Sequence, residues 1–257
     1  MATIWADQPF QLMVVPGTEG LPNSSNPDVA EIVADMANVH NMLLRGLNAI
    51  YLQCENVKEP KDTTDFIKYV KFWGDGIHHH HHSEETLIFP YFDEIAKKGG
   101  ATESIMETNV EQHHLFEPGL HALIGFAEEV LEGKKAYDGK EVKRIVDEFA
   151  PVLTQHLHDE IKTLMRLEPY DGKAIAQVTD SATKKIVAQA DTYTVLPMLF
   201  GCLDKTHAGT GNFPKVPFFL PWLNAYIFRR KHKGSWRFHP CDAWSRPQPL
   251  PFGPKSA

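Results

Sequence analysis

The chain has 257 residues, 42% hydrophobic and 23% charged, with a formal net charge of −7 when histidine is neutral. That is enough for one large domain or two small ones with a packed core, and the acidic balance argues against nucleic acid as a partner. Three scattered cysteines (Cys54, Cys202, Cys241) without a CxxC pair argue for a reducing, cytoplasmic setting rather than a disulfide framework, and no run suits a signal peptide or a membrane span.

Residues 1–25, punctuated by Pro, Gly, Ser and Asn, read as an irregular arm. Asn26-Pro27-Asp28 then opens a helix: Asn caps, Pro suits the first helical position and Asp28 favours the positive end of the dipole. Its apolar stripe is Ile32, Met36, His40, Leu43, Leu47, Ile50. A second helix is expected from Thr64-Asp65 to Gly99-Gly100, with the stripe Phe66, Tyr69, Trp73, Ile77, His80, Glu84, Leu87, Tyr91 and a bend at Pro90. A third, capped by Thr102, carries Met106, Val110, His113, Glu117, Leu120, Ile124, Leu131. A fourth, from about Lys140 to Leu167, carries Val142, Ile145, Phe149, Leu153, His156, Glu160, Leu164, Leu167. Four long helices with short connections predict an all-α, up-down-up-down four-helix bundle over residues 26–169. Residues 170–257 are expected to add one helix, Lys173 to Ala190, and an irregular, Pro- and aromatic-rich extension packed on the bundle.

Eleven of the 14 histidines fall between His40 and His158. Polar, ligand-type residues sit on stripes that should be core: His40, His80 with Glu84, His113 with Glu117, and His156 with Glu160. Residues four apart share a helix face, so each His-x3-Glu pair can face one point. Burying so many ionisable groups unpaired would cost several kcal/mol per charge, and bound cations would remove most of that cost. Seven ligands exceed one tetrahedral zinc and suit two octahedral-like ions sharing bridging carboxylates, with iron or manganese favoured by the mixed imidazole and carboxylate set. The spacing differs from the Glu-x-x-His motif of ferritin-like bundles. In the run His78 to His82, five consecutive rings point all round a helix. His80 with Glu84 is the pair in register, and His81 with Glu85 is the alternative, rotated by one residue.

The order His40, His80-x3-Glu84-Glu85-x3-Phe89-Pro90, His113-x3-Glu117, His156-x3-Glu160 resembles the hemerythrin-like (HHE cation-binding) family. The segments 40–48 and 111–114, with Pro217-Phe218-Phe219, Trp236-Arg237-Phe238 and Pro240-Cys241-Asp242, resemble its fungal members. The resemblance implies a bundle enclosing two non-haem iron ions, oxo- and carboxylate-bridged, that bind dioxygen or another diatomic such as nitric oxide, or peroxide. Helix three departs from the family's usual His-x3-His by carrying Glu117, with His121 one turn later and about 12 Å from His113. A set of four imidazoles and three carboxylates would lean towards oxygen activation.

Two other functions remain open at this point. One is a di-iron oxidase or oxygenase with a substrate pocket lined by Trp73, Phe116 and Phe149. The other is an iron- or oxygen-responsive interaction module. The apolar segment 218–228, followed by the basic 229–233, is expected to pack over the bundle and close one end of the metal cavity, with contact at an anionic membrane surface as the alternative.

Overall fold

The Asn26 side chain accepts from the Asp28 amide at 3.2 Å and Pro27 follows it, so α1 starts there and runs Pro27–Gln53 in the computed structural model, which describes residues 5–254. α2, Pro60–Ser83, starts four residues before the expected Thr64, because Pro60 occupies a first-turn position where its missing N–H is no loss. The chain then makes one π-helical turn, Glu84–Ile88, in which the Phe89 amide reaches back to the Glu84 carbonyl, and continues as α3, Phe89–Lys98. Such a turn inserts one residue into the helical count. The inward positions therefore move from the expected Leu87 and Tyr91 to Ile88 and Phe92, and Tyr91 is 47% exposed. Pro90 lies in the first turn of α3 and needs no bend in a helix interior.

The third bundle helix, α4, spans Glu107–Leu131 and starts five residues after the expected Thr102 cap. Asp93 holds the intervening segment, accepting from the Ile105 and Met106 amides and from Ser104 Oγ, while Ser104 Oγ accepts from the Glu107 amide at 2.9 Å. α5, Gly139–Met165, is capped by Asp138, whose Oδ1 accepts from the Lys140 amide at 2.9 Å. α4 lies between α2 and α5, and α1 packs on α5 and α2, completing the bundle. Close approach depends on two small residues. A Cβ on Gly46 would stand 2.5 Å from Trp73 Cδ1, and one on Gly119 would stand 2.5 Å from Phe149 Cβ. Every expected inward residue of α5 is buried, from Val142 to Leu164, as is Leu167 just beyond it. No β-strand occurs among the described residues, and no described helix is long and apolar enough to cross a membrane.

The arm is irregular, as expected, but tightly fastened. Asn41 exchanges two hydrogen bonds with the Met13 backbone, both 2.9 Å, and Asn48 accepts from the Phe10 amide while donating to the Ala6 and Phe10 carbonyls. After the bundle, α6 (Gly172–Gln189) lies against α1 and α3, and α7 (Thr192–Cys202) against α1 and α2. The rest of the extension holds short helical turns, including α8, Leu220–Tyr226. Phe238 stacks edge-on to Phe66 at 5.0 Å and its carbonyl accepts from Gln53 Nε2 at 3.0 Å, so the extension covers the end of the bundle where α1 stops and α2 starts. The segment 218–228 departs from the expectation of packing. Asn224 is its one buried residue, and Phe218 is 88% exposed. Its rings gather on one another instead, with Trp222 5.0 Å from Trp244 and 5.8 Å from Tyr226.

Candidate metal centre

Five imidazoles and two carboxylates meet in the middle of the bundle. α1 supplies His40, α2 His80 and His81, the start of the π turn Glu84, α4 His113, and α5 His156 and Glu160. Two sets of ligand atoms lie within 4.8 Å of one another: His81, Glu84, His113 and His156, and His40, His80 and Glu84. Glu84 belongs to both, with Oε1 3.0 Å from His80 Nε2 and Oε2 3.7 Å from His113 Nε2. Glu160 also spans them, its Oε2 standing 3.4 Å from His40 Nε2 and 3.5 Å from His156 Nε2. Each carboxylate thus stands between two groups of imidazoles. Side-chain exposure is 2% or less throughout except at His80, where it is 17%.

The hydrogen bonds fix which nitrogen of three rings faces inward. His40 Nδ1 donates to the Leu157 carbonyl at 2.8 Å, His113 Nδ1 to Glu85 Oε1 at 2.7 Å and His156 Nδ1 to Gln112 Oε1 at 3.1 Å. Gln112 is itself oriented, because its Nε2 donates to Asp159. A ring whose Nδ1 carries the proton presents a bare lone pair at Nε2, which is how imidazole ligands are usually tethered. Without cations the inner atoms have nothing to do. Both carboxylates and both nitrogens of His81 are buried with no aligned hydrogen bond, and His113 Nε2 and His156 Nε2 lie 3.0 Å apart.

Burial sets the charge of the group. It lowers His40 to about 3 and holds His80, His81 and His156 well below the usual imidazole range. His113 is also lowered by burial, with Glu85 opposing. The same burial, reinforced by Glu160, raises Glu84 well above the usual carboxylate range, and burial raises Glu160 to about 8. Neutral imidazoles and protonated carboxyls are the form a dry pocket tolerates. Dications would turn the carboxyls into carboxylates and give both of them, and one nitrogen of His81, a partner, so the donor set fits hard or borderline metal ions.

Six of the seven expected residues, His40, His80, Glu84, His113, His156 and Glu160, come together. Glu117 does not. The buried face of α4 steps by three from His113 to Phe116 and then to Leu120, which turns Glu117 to the rim, 31% exposed and 3.8 Å from His114. His81 occupies the place intended for it. Its ring packs at 4.4 Å from His113, 4.8 Å from Phe116 and 5.1 Å from His156. The signal for His81 is its position three residues before Glu84, since i,i+3 neighbours share a face as i,i+4 neighbours do. Glu85, the other half of the alternative pair, orients His113 instead. His121 stands on the outer surface beside His78. Trp73, Phe116 and Phe149, expected as pocket lining, are each at most 2% exposed; Phe116 packs beside the imidazoles, while Trp73 and Phe149 pack on each other at 6.5 Å.

Comparison with known families matches residues 31–167 to the hemerythrin HHE cation-binding domain, a span that holds the whole cluster. The chain is a hemerythrin HHE family member. It is also similar to the dimeric xanthone biosynthesis cluster protein R11 of Cryptosporiopsis sp. (strain 8999), at 34% identity over 252 residues, 97% of this chain and 94% of that one. No solved structure matches the chain. The similarity to the fungal relative runs well beyond the family domain, through the extension that wraps the bundle.

Proposed function

We propose that this HHE protein holds two non-haem iron ions in the buried cluster and binds dioxygen, or another small diatomic, there. His81, His113 and His156 would hold one ion, His40 and His80 the other, and Glu84 and Glu160 would bridge. The observation that carries the reading is the sevenfold set of orphaned or inward-facing donors in a dry pocket. Bound iron would supply the electrons and the open coordination position that dioxygen requires. The chain's own part is positional. Leu157, Glu85 and Gln112 hold three imidazoles in the ligating tautomer. Phe116, buried against His81, His113 and His156, keeps water from that side of the cluster. Two imidazoles on one side against three on the other leave the His40–His80 side less filled, and that side includes the one partly exposed ring. Three free, buried thiols accord with a reducing compartment, and we assign the protein to the cytoplasm.

The test is elemental analysis of protein purified without a metal-affinity column, followed by anaerobic reduction and mixing with oxygen. About two irons per chain and a spectral change reversed by deoxygenation support the reading. Zinc alone, or oxygen consumed without reversal, overturns it. The relative's name favours a second reading, an oxidase or oxygenase acting on a xanthone-type aromatic compound. Stoichiometric oxygen uptake only when such a compound is added would select it.

A further inference from the structure

The buried cluster uses two rings of the five-histidine run and leaves the others over. His78 and His82 are exposed, one turn apart on α2, with ring centroids 6.2 Å apart and planes at 19°. Across the seam, exposed His121 of α4 brings its Nε2 to 3.4 Å from His78 Nδ1. Two nitrogens on one tetrahedral ion, each about 2.0–2.1 Å from it, stand about 3.3–3.4 Å apart. This pair therefore already has the spacing of two ligands on a common ion. α2 and α4 are antiparallel neighbours, and the His78–His121 contact fixes their register. One turn onward along α2 and one turn back along α4 bring His82 and Glu117 to the same level.

We propose that His78, His82, Glu117 and His121 form a peripheral site for a borderline divalent cation of the zinc type, distinct from the buried cluster. Three imidazoles and one carboxylate, with no thiolate, are a donor set that zinc accepts in tetrahedral geometry. The His78–His121 pair is in place, and the side chains of exposed His82 and half-buried Glu117 complete the set by rotating about their own bonds. Glu117 is held in no short ion pair among the described residues, the exposed His114 standing 3.8 Å away. The bound ion would staple α2 to α4 from outside, on the helix that supplies His80 and His81 to the interior. The site needs no particular metal in the bundle and stands apart from the iron reading.

Calorimetric titration of the full chain with Zn2+ tests this. The wild type should take up one equivalent more than H78A/H121A, and H82A should bind that equivalent about 100-fold more weakly or worse. H156A, which alters the buried cluster alone, should retain the extra equivalent. Equal stoichiometry and affinity in the wild type and H78A/H121A would overturn the proposal and leave His78–His121 as a simple hydrogen bond. Should circular dichroism show the double variant unfolded, H121A alone carries the same expectation.

Discussion

Replacing His81 by alanine, beside Glu117→Gln, separates the proposed ligand set, drawn from the donors gathered in the bundle, from the one expected on α4. The His81 ring is buried against His113, Phe116 and His156. Its removal forfeits packing worth about 2–4 kcal/mol. Both ring nitrogens are unpartnered in the metal-free protein, so removal also relieves about 1–3 kcal/mol of desolvation. These terms nearly cancel, and metal-free H81A should melt close to the wild type. The metal-bound states should differ sharply. Outer partners of a ligand are worth about 10–100-fold in affinity, so a lost ligand should cost at least about 100-fold, or about 2.7 kcal/mol, for one of two irons. Glu117 is on the rim, and its pair with His114 is a surface one worth about 1 kcal/mol at most. E117Q should bind both irons within about fivefold of the wild-type affinity. Anaerobic iron titration against a competing chelator, with calorimetry of the metal-free proteins, measures all of this. An E117Q protein that loses one iron while H81A keeps both would refute the assignment.

Glu85→Gln should weaken iron binding by about 10–100-fold without altering its stoichiometry, because it leaves His113 Nδ1 with a weaker acceptor; chelator competition reads this. Phe116→Ala should cost about 3–5 kcal/mol in denaturant unfolding and speed the entry of an anion such as azide, since the ring seals His81, His113 and His156. Iron affinity should rise between about pH 6 and 8, because each ion must displace the proton that Glu160 keeps up to about 8, while the imidazoles are already neutral. Metal-free stability carries opposing contributions: the Glu160 carboxyl ionises near 4.5 when unfolded but near 8 when folded, so its own contribution is lost as pH rises through that window, whereas the buried imidazoles, lowered by burial, gain stability as pH rises through about 6.5. Metal-free E160Q lacks the Glu160 loss and should gain more stability than the wild type between about pH 5.5 and 7.5; an equal gain in both would contradict the Glu160 assignment. Asn48→Ala should cost about 1–3 kcal/mol by releasing three hydrogen bonds of the arm, and should expose the Ala6–Phe10 segment to proteolysis.

The bundle was legible because its signal is redundant. On α5 each inward position agrees with its neighbours at steps of three and four, and His156 and Glu160 ride on that agreement. The fold and the positions of six of the seven cluster residues followed from such stripes, and the family from the resemblance of the His-x3-Glu motif order. Glu117 was misplaced where the pattern is degenerate: from His113 a step of three reaches Phe116 and a step of four reaches Glu117, and periodicity alone does not choose. Volume chose, since the middle of the bundle holds the Phe116 ring and leaves the carboxylate at the rim. The register of α3 failed for another reason. A π turn is a backbone event that leaves no trace in hydrophobic spacing, so Leu87 and Tyr91 looked as good as Ile88 and Phe92. The exposed aromatic segment around Trp222 was unreadable because apolar content does not reveal whether a partner surface exists to cover it.

The π turn at Glu84–Ile88 also makes the chain sensitive to length at one spot. Deleting a single residue there, Thr86 for example, would let an unbroken helix run from Pro60 to Lys98 with every backbone bond intact. That helix would carry Ile88 and Phe92 at the inward positions of the plain helical count, so they would stay in the core. Adding a residue there would instead turn α3 by about 100° relative to the cluster residues upstream. Phe92 would then leave the core, and the face that α3 offers α6 would no longer match. Substitutions in this turn should be tolerated far better than lengthening it. A change invisible to local propensity would detach the cluster's helix from the layer beneath it.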